Sequence, residues 1–143
     1  MFYFKILTDM LKRLLLLCTL LLVVALAGMS QSVTIDKIKY EAISSTEAVL
    51  VDGYKAEGDI IIPEYVTIKG NQYRVVRIGN YAFKNHKDDP VYGSDDCCVK
   101  SIKIPNSVTY IGDHAFENCT SLVCVTIPDG VTYIGKETFA NCN

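Results

Sequence analysis

The sequence lacks the features that identify most enzymes, nucleic-acid-binding proteins and integral membrane proteins. It contains no G-x-S-x-G, H-E-x-x-H, C-x-x-C or glycine-rich phosphate-loop motif, and its two histidines leave few groups for proton transfer near neutral pH. A formal net charge of −2 provides no basic surface for nucleic acid. The long apolar run at residues 14–27 is shorter than the ~20 residues of a membrane-spanning helix. We therefore expect no catalysis, no cofactor, no bound metal and no membrane span in the mature chain.

Residues 1–27 have the layout of a secretory signal peptide. A basic pair at residues 12–13 precedes the apolar run, and an Ala-x-Ala site ending at Ala27 closes it. An uncleaved anchor is the alternative, and Met10 is an alternative start. Because Met29 and not a cysteine follows the Ala-x-Ala-Gly sequence, no lipid anchor is expected at the cut. We predict an exported protein, either secreted or displayed on the cell surface.

A passage written twice is the strongest signal in the chain. Residues 99–119 recur as residues 122–142, at an offset of 23. Ten positions are identical: Ile104, Pro105, Val108, Thr109, Tyr110, Ile111, Gly112, Phe116, Asn118 and Cys119 recur as Ile127, Pro128, Val131, Thr132, Tyr133, Ile134, Gly135, Phe139, Asn141 and Cys142. A period in the twenties is typical of stacked coils, each of which cannot bury its own apolar face alone.

A third repeat precedes these two and carries two inserts. Pro63 lies 42 residues before Pro105, and inserts of nine and ten residues account for the whole excess of 19 over the 23-residue period. The first, at residues 67–75, alternates around a Gly-Asn turn and predicts a β-hairpin. The second, around residues 87–96, is rich in aspartate and predicts an exposed loop.

Each repeat is predicted to contain two short strands and one tight bend. Residues 122–127 form the first strand, which ends at Pro128, and residues 131–134 form the second. Gly135 permits a bend, and residues 136–141 are predicted as a single helical turn that carries a phenylalanine inward.

The inward positions should form a continuous core through the stack. The predicted core comprises Ile60, Ile62, Ile78, Phe83, Ile102, Ile104, Val108, Ile111, Phe116, Cys119, Leu122, Val125, Ile127, Val131, Ile134, Phe139 and Cys142. Upstream, residues 35–43 and 48–51 are predicted as two strands that cover the first coil, since an uncovered coil exposes core and strand edges. We assign residues 28–55 to this cap and residues 56–143 to about three coils, the last truncated, and we expect a fragment of a longer array.

The cysteines and asparagines of the repeat have structural and chemical interpretations. Five cysteines remain after the signal peptide, and an odd number argues against a closed disulfide framework. Cys119 and Cys142 are interpreted as core thiols, with a disulfide between them as the alternative. Asn118 fits a glycosylation acceptor, but its recurrence at Asn85 and Asn141 favours a ladder of side chains that bond the backbone.

The residues that could bind a metal can also be explained without one. His86 lies near Cys97 and Cys98, but adjacent cysteines lack the spacing of metal ligands. His114 shares its column with unrelated side chains and is expected to be a solvated surface residue. The acidic insert is interpreted as a solvated loop, with a weak Ca²⁺ site as the alternative. Its carboxylates are Asp88, Asp89, Asp95 and Asp96.

The repeat pattern resembles a known family. The pattern I-x-I-P-x-x-V-x-x-I-G-x-x-A-F-x-x-C stands at residues 102–119 and again at residues 125–142, where Val125 replaces the first isoleucine and Thr138 replaces the alanine. It is similar to the BspA-type leucine-rich repeats of bacterial cell-surface proteins. The hairpin before Ile78-Gly79 also looks like the family's usual first repeat. The resemblance covers about residues 56–143. It implies a leucine-rich-repeat solenoid, a right-handed coil stack with an N-terminal β cap, and it implies adhesion to host proteins or to other cells.

We therefore predict a non-catalytic protein-recognition or adhesion module on or outside the bacterial cell surface. Its partner would be a protein of the host matrix or of another cell surface, with no nucleic acid involved. The predicted binding face comprises Ile61, Ser101, Lys103, Cys124, Thr126, Tyr110 and Tyr133, with Asp59 in the same column as Ser101. Packing of the two tyrosines within the ladder is the alternative for that pair. A structural spacer that projects another domain, with no ligand of its own, is the alternative function.

Overall fold

The structure is a computed structural model that describes residues 31–85 and 98–142. The predicted signal peptide, His86, Cys97 and the four aspartates of the acidic insert lie outside the described residues. Within the described part of the chain the regular elements are all strands, and no helix there is long and apolar enough to cross a membrane.

In the described ranges, ten strands form two sheets. They are β1 (Ser32–Ile35), β2 (Ile38–Ala42), β3 (Glu47–Asp52), β4 (Glu57–Ile61), β5 (Tyr65–Ile68), β6 (Asn71–Ile78), β7 (Cys98–Lys103), β8 (Tyr110–Ile111), β9 (Cys124–Thr126) and β10 (Tyr133–Ile134). The larger sheet has the order β1-β2-β3-β6-β8-β10, with β5 paired to β6, and the smaller sheet has the order β4-β7-β9. The chain is mainly β, as expected.

The N-terminal segment contains three strands where the sequence predicted two. The predicted strand at residues 35–43 is interrupted after Ile35, because Asp36 and Lys37 both adopt left-handed backbone angles, with φ of 48° and 67°. Two successive left-handed residues make the tight turn that joins antiparallel strands of a hairpin. Ile35 and Ile38 pair directly across it. Neither residue is glycine or asparagine, so the turn had no clear signal in the sequence.

The hairpin predicted in the first insert is confirmed. β5 pairs antiparallel with β6, and Ile68 lies opposite Asn71. The turn consists of Lys69 and Gly70, with φ of 50° and 85°, one residue earlier than the predicted Gly-Asn. Asn71 therefore belongs to the second strand.

The strands pair between repeats at the offsets that the sequence alignment requires. In the smaller sheet, Ile60 pairs with Ile102, and Ile102 pairs with Val125, all in parallel register. In the larger sheet, Tyr110 lies between Arg77 and Tyr133. Successive repeats thus lie side by side with equivalent positions adjacent, an arrangement consistent with a repeat fold.

The segment after each bend is a turn and not the predicted helical turn. Tyr81, His114 and Glu137 begin these turns with φ of 59°, 56° and 50°. A left-handed residue interrupts a right-handed helix at its first position. In each turn the N–H three residues later donates to the carbonyl of that left-handed residue, at 3.1–3.2 Å.

A ladder of backbone hydrogen bonds joins each turn to the next. The N–H groups of His114, Phe116 and Asn118 donate to the carbonyls of Lys136, Thr138 and Ala140 at 2.9, 2.9 and 2.8 Å. The N–H groups of Tyr81, Phe83 and Asn85 donate in the same way to Asp113, Ala115 and Glu117. The turns therefore satisfy their backbone groups between repeats, as strands do, and need no internal helix.

The core lies between the two sheets and is centred on a column of phenylalanines. Phe83 stacks on Phe116 with ring centroids 5.2 Å apart, and Phe116 stacks on Phe139 at 5.3 Å. Of the predicted core, Ile62, Ile78, Phe83, Ile102, Ile104, Val108, Ile111, Phe116 and Cys119 are buried. Ile60, Leu122, Val125, Val131, Phe139 and Cys142 are partly buried against them.

Two residues predicted to be in the core are exposed. Ile127 and Ile134 have exposed fractions of 38% and 48%, whereas their equivalents one repeat earlier, Ile104 and Ile111, are buried. The difference follows from position, because the earlier pair is covered by the repeat that follows it in the described structure. Identical residues in successive repeats can therefore differ in burial, and the repeat pattern alone does not show which of them are covered.

Candidate functional site

The outward columns of the smaller sheet are the first candidate surface. Asp59, Ser101 and Cys124 occupy one column in register, and Ile61, Lys103 and Thr126 occupy the next. The structure thus brings together the residues that the repeat alignment had placed side by side. In the first column the hydroxyl of Ser101 donates to the Asp59 carboxylate at 2.6 Å.

The second column of this sheet offers the more open surface. Ile61 has an exposed fraction of 74%, and both Lys103 and Thr126 are exposed. Ile61 ends the edge strand β4, where a solvated strand position would be expected to carry a polar side chain. The column therefore presents an apolar group, a cation and a hydroxyl in line.

The tyrosine pair lies on the other sheet. Tyr110 and Tyr133 stack with ring centroids 4.7 Å apart, and the Arg77 guanidinium lies 5.2 Å from the Tyr110 ring. Tyr110 is half-buried between these two neighbours, so it packs within the ladder, whereas Tyr133 is exposed. The negative charge of Asp113, the strongest influence, raises the pKa of Tyr133. The seven residues predicted as one binding face are thus divided between two sheets.

The side chains around His114 form a cluster that the sequence did not predict. The imidazole stacks on the Tyr81 ring, with centroids 5.0 Å apart and planes within 4°. Its Nδ1 lies 2.9 Å from Oε2 of Glu117 and 3.5 Å from Oε2 of Glu137. The His114 side chain is 24% exposed, so it is half-buried at the surface and not fully solvated as expected. Stacking on Tyr81 and the left-handed backbone conformation of His114 place the ring against the surface of the repeat.

Lys84 completes the electrostatics of this cluster. Its ammonium lies 2.7 Å from Oε2 of Glu117 and 5.1 Å from the centre of the Tyr81 ring. The Lys84 ammonium, with a smaller contribution from His114, holds the pKa of Glu117 below its usual range, although desolvation acts in the opposite direction. The carboxylate therefore remains ionised through the neutral and mildly acidic range.

A cleft lies between the β1–β2 turn and the outer edge of β4. Its volume is about 510 Å³. Its apolar walls include Ile35, Tyr40 and Ile61, and an ion pair between Lys37 and Glu57 lies at its rim. Sequence reasoning missed this cleft because its two walls are distant in the chain and the β1–β2 turn was not predicted.

The asparagines and cysteines of the repeat serve the stack itself. The Asn141 amide donates to Oδ1 of Asn118 at 2.9 Å, and the Asn118 amide donates to the carbonyl of Asn85 at 3.5 Å. The predicted asparagine ladder is therefore confirmed only in part. Asn118 bonds the backbone and Asn141 bonds a side chain, while the side chain of Asn85 has no hydrogen-bond partner among the described residues. Cys119 and Cys142 are hydrogen-bond donors to phenylalanine carbonyls of the preceding repeat.

The comparison with known families agrees with this geometry. Residues 92–143 match the family described as "BspA type Leucine rich repeat region (6 copies)". No curated protein matches the chain. The resemblance in the repeat pattern is confirmed, and this part of the chain is a BspA-type leucine-rich-repeat region. Such regions typically mediate protein interactions and are generally not catalytic.

Several solved structures of bacterial leucine-rich-repeat proteins are similar to this chain. One from Bacteroides ovatus is 38% identical over 77% of this chain and 27% of its own, with a TM-score of 0.59. A leucine-rich cell surface protein from Faecalibacterium prausnitzii is 32% identical over 81% of this chain and 29% of its own, with a TM-score of 0.63. One from Bacteroides capillosus is 26% identical, with a TM-score of 0.60, over 74% of this chain and 72% of its own. The chain thus spans under a third of the length of the first two.

Proposed function

We propose that this protein is an exported, non-catalytic recognition or adhesion module that acts on or outside the bacterial cell surface. In this proposal residues 56–142 wind as a right-handed solenoid, and β1–β3 form its N-terminal cap. The parallel pairing of equivalent strands and the phenylalanine column support the solenoid. The continuous pairing of β1, β2 and β3 onto β6 supports the cap.

The observation that carries the proposed role is the exposed column Ile61, Lys103 and Thr126. Its residues come from three adjacent parallel strands, so their separation is set by the sheet and not by flexible loops. A rigid row that combines an exposed apolar group with a cation gives a partner protein both area to bury and a charge to match. Repeat proteins use extended surfaces of this kind for binding.

Export is supported by the signal-peptide layout of residues 1–27 and by the similarity to a protein described as a cell surface protein. Export also indicates the kind of partner, because an exported bacterial module is exposed to host matrix proteins and to the surfaces of other cells. The spacer alternative is favoured by one feature, the internal hydrogen bond between Ser101 and Asp59, which satisfies side chains that a partner would otherwise contact.

Binding of the mature chain to immobilised extracellular-matrix proteins tests the proposal. We expect saturable binding that weakens about tenfold in Ile61→Ser and in Lys103→Glu, because each removes an anchor from the exposed column. The matched control is Lys69→Glu, which makes the same charge change at an exposed hairpin turn of the other sheet. Absence of saturable binding, or equal weakening by all three variants, would favour the spacer.

A further inference from the structure

Three potential metal ligands from two adjacent repeats converge beside Tyr81. His114 and Glu117 belong to one turn, and Glu137 belongs to the equivalent turn of the next repeat. One ligand atom from each of the three side chains lies within 4.8 Å of the other two. The sequence showed no metal motif here, because Glu137 reaches the other two only through the 23-residue stacking.

The distances suit a small divalent cation. Zn²⁺ binds imidazole nitrogen and carboxylate oxygen at about 2.0–2.2 Å, so ligand atoms of a tetrahedral site lie roughly 3.3–3.6 Å apart. Nδ1 of His114 lies 2.9 Å from the Glu117 oxygen and 3.5 Å from the Glu137 oxygen. The second separation lies within the tetrahedral range and the first is shorter, so the His114 and Glu117 side chains would move apart slightly around the ion, while Glu137 is exposed and able to adjust.

A second observation concerns the two inner ligand atoms. Nδ1 of His114 and Oε2 of Glu117 are shielded from solvent, and no well-aligned hydrogen bond reaches either atom. Oε2 of Glu117 is nevertheless paired with the Lys84 ammonium at 2.7 Å, and it faces Nδ1 at 2.9 Å. A cation shared by the two atoms would replace these unaligned contacts with ligand bonds.

The imidazole is already oriented before any ion binds. Its stacking on Tyr81 at 5.0 Å fixes the ring plane, and the backbone N–H of His114 is bonded to the carbonyl of Lys136 in the next repeat. The stacking and the backbone hydrogen bond together hold the ring with Nδ1 facing the carboxylates. Such support of a ligand by its surroundings strengthens metal binding.

Lys84 is the competitor for this position. Its ammonium lies 2.7 Å from Oε2 of Glu117, without hydrogen-bond alignment, and a bound cation would have to displace it. The Tyr81 ring, 5.1 Å away, offers the displaced ammonium another favourable contact. We therefore expect moderate affinity, which improves when this charge is removed.

We propose that His114, Glu117 and Glu137 form a Zn²⁺ site that links two successive repeats. An imidazole with two carboxylates suits Zn²⁺ better than Ca²⁺ or Mg²⁺, which take oxygen ligands alone. Water would complete the coordination. Because the ligands lie on both sides of a repeat boundary, the ion would stabilise the stacking of those repeats and raise the melting temperature.

Zinc titration of the mature chain, produced without a histidine tag, tests this site. Isothermal titration calorimetry and thermal melts with ZnCl₂ should show a single site per chain and a rise in melting temperature. His114→Ala and Glu137→Gln should each weaken binding about tenfold or more. Lys84→Met should strengthen it and should retain the thermal shift, which shows that the fold is intact.

The chain supplies its own control for zinc bound elsewhere. His86→Ala and the double variant Cys97→Ser/Cys98→Ser remove three other potential ligands and should leave the affinity unchanged. Zinc binding that survives His114→Ala but is lost in either control variant would overturn the proposal. So would the absence of any heat or thermal shift at millimolar zinc in the unmodified chain.

Discussion

The thiol of Cys119 lies 3.0 Å from the carbonyl oxygen of Phe83, which belongs to the preceding repeat. Cys142 makes the same contact with the carbonyl of Phe116, also at 3.0 Å. At this position the cysteine sulfur packs against the core, and the thiol donates a hydrogen bond to the preceding repeat. This relationship explains why cysteine recurs at the position without a need for a disulfide.

Replacing Cys119 by alanine should destabilise the fold by about 1–2 kcal/mol, because it removes buried volume and leaves the Phe83 carbonyl without this donor. Cys142→Ala should cost less, since Cys142 is only partly buried. Urea denaturation of the two variants measures the difference. Equal losses would contradict the assigned order of burial.

The glycine at the bend of a repeat is required because the preceding repeat packs closely against it, and not because its backbone angles are unusual. A Cβ on Gly112 would lie 2.4 Å from Oδ1 of Asn80 and 2.6 Å from its backbone nitrogen. Gly135 faces Asp113 of the preceding repeat at equally short distances. Glycine is therefore needed to let one coil contact the next, whereas the sequence had suggested only a tight bend.

Gly112→Ala should destabilise the protein by about 2–3 kcal/mol, since the added methyl group meets backbone that cannot easily move. Gly130→Ala is the matched control, because its Cβ would meet its nearest neighbour, the Asn106 carbonyl, at 3.2 Å. We expect the control to lose less than about 1 kcal/mol. Thermal or chemical denaturation distinguishes the two, and an equally tolerant Gly112 would refute the close-packing argument.

A ladder of side-chain oxygens accompanies these glycines. Oδ1 of Asn80 accepts a hydrogen bond from the N–H of Asp113 at 3.0 Å, and Oδ1 of Asp113 accepts one from the N–H of Lys136 at 2.8 Å. Each repeat thus satisfies a backbone donor of the following repeat. The equivalent side chains differ in charge, and both supply the same acceptor.

Asp113→Ala should lower stability by about 1 kcal/mol through the loss of this acceptor. It should also lower the pKa of Tyr133, because the negative charge of Asp113 is the main cause that raises it. An NMR titration of ring-labelled tyrosine follows that pKa directly. Asp113→Asn keeps the acceptor and removes the charge, so it should lower the pKa with little loss of stability.

The alignment of residues between repeats could be predicted from the sequence far better than the surroundings of His114. The columns Asp59-Ser101-Cys124 and Phe83-Phe116-Phe139 follow from counting, because equivalent positions of a stacked repeat must be neighbours. Counting likewise places His114 between Tyr81 and Glu137, but it does not show that the ring stacks on Tyr81 or that it is half-buried. Those features depend on a turn with a left-handed φ at His114, where the sequence predicted a helical turn.

The exposed ends of the described region show a second limit of sequence reasoning. Ile127 and Ile104 have the same residue type and the same local pattern, yet only Ile104 is buried. Burial in a stack depends on the neighbouring coil, which the residue's own repeat does not specify. Likewise, the cleft beside β4 depends on a turn at Asp36-Lys37 that carries no glycine or asparagine.

The interaction of Glu117 with Lys84 and His114 should make stability depend on pH in the acidic range. The pKa of Glu117 in the folded protein lies below its value in the unfolded chain, which is about 4.3 for an ordinary glutamate. The folded state therefore favours the ionised carboxylate. Its contribution is present in full well above the unfolded pKa and is lost as the pH falls through the folded pKa.

We expect the melting temperature of the unmodified chain to fall between pH 6 and pH 3 more than that of Glu117→Gln, which has no carboxylate to protonate at this position. The glutamine variant should be the less stable of the two at pH 6, and the two curves should converge at the acidic end. Glu64→Gln serves as the control, because Glu64 forms an exposed ion pair with Arg74 at 3.1 Å, and exposed pairs of this kind contribute little. Parallel curves for Glu117→Gln and the unmodified chain would show that the Lys84 and His114 contacts do not stabilise the ionised carboxylate.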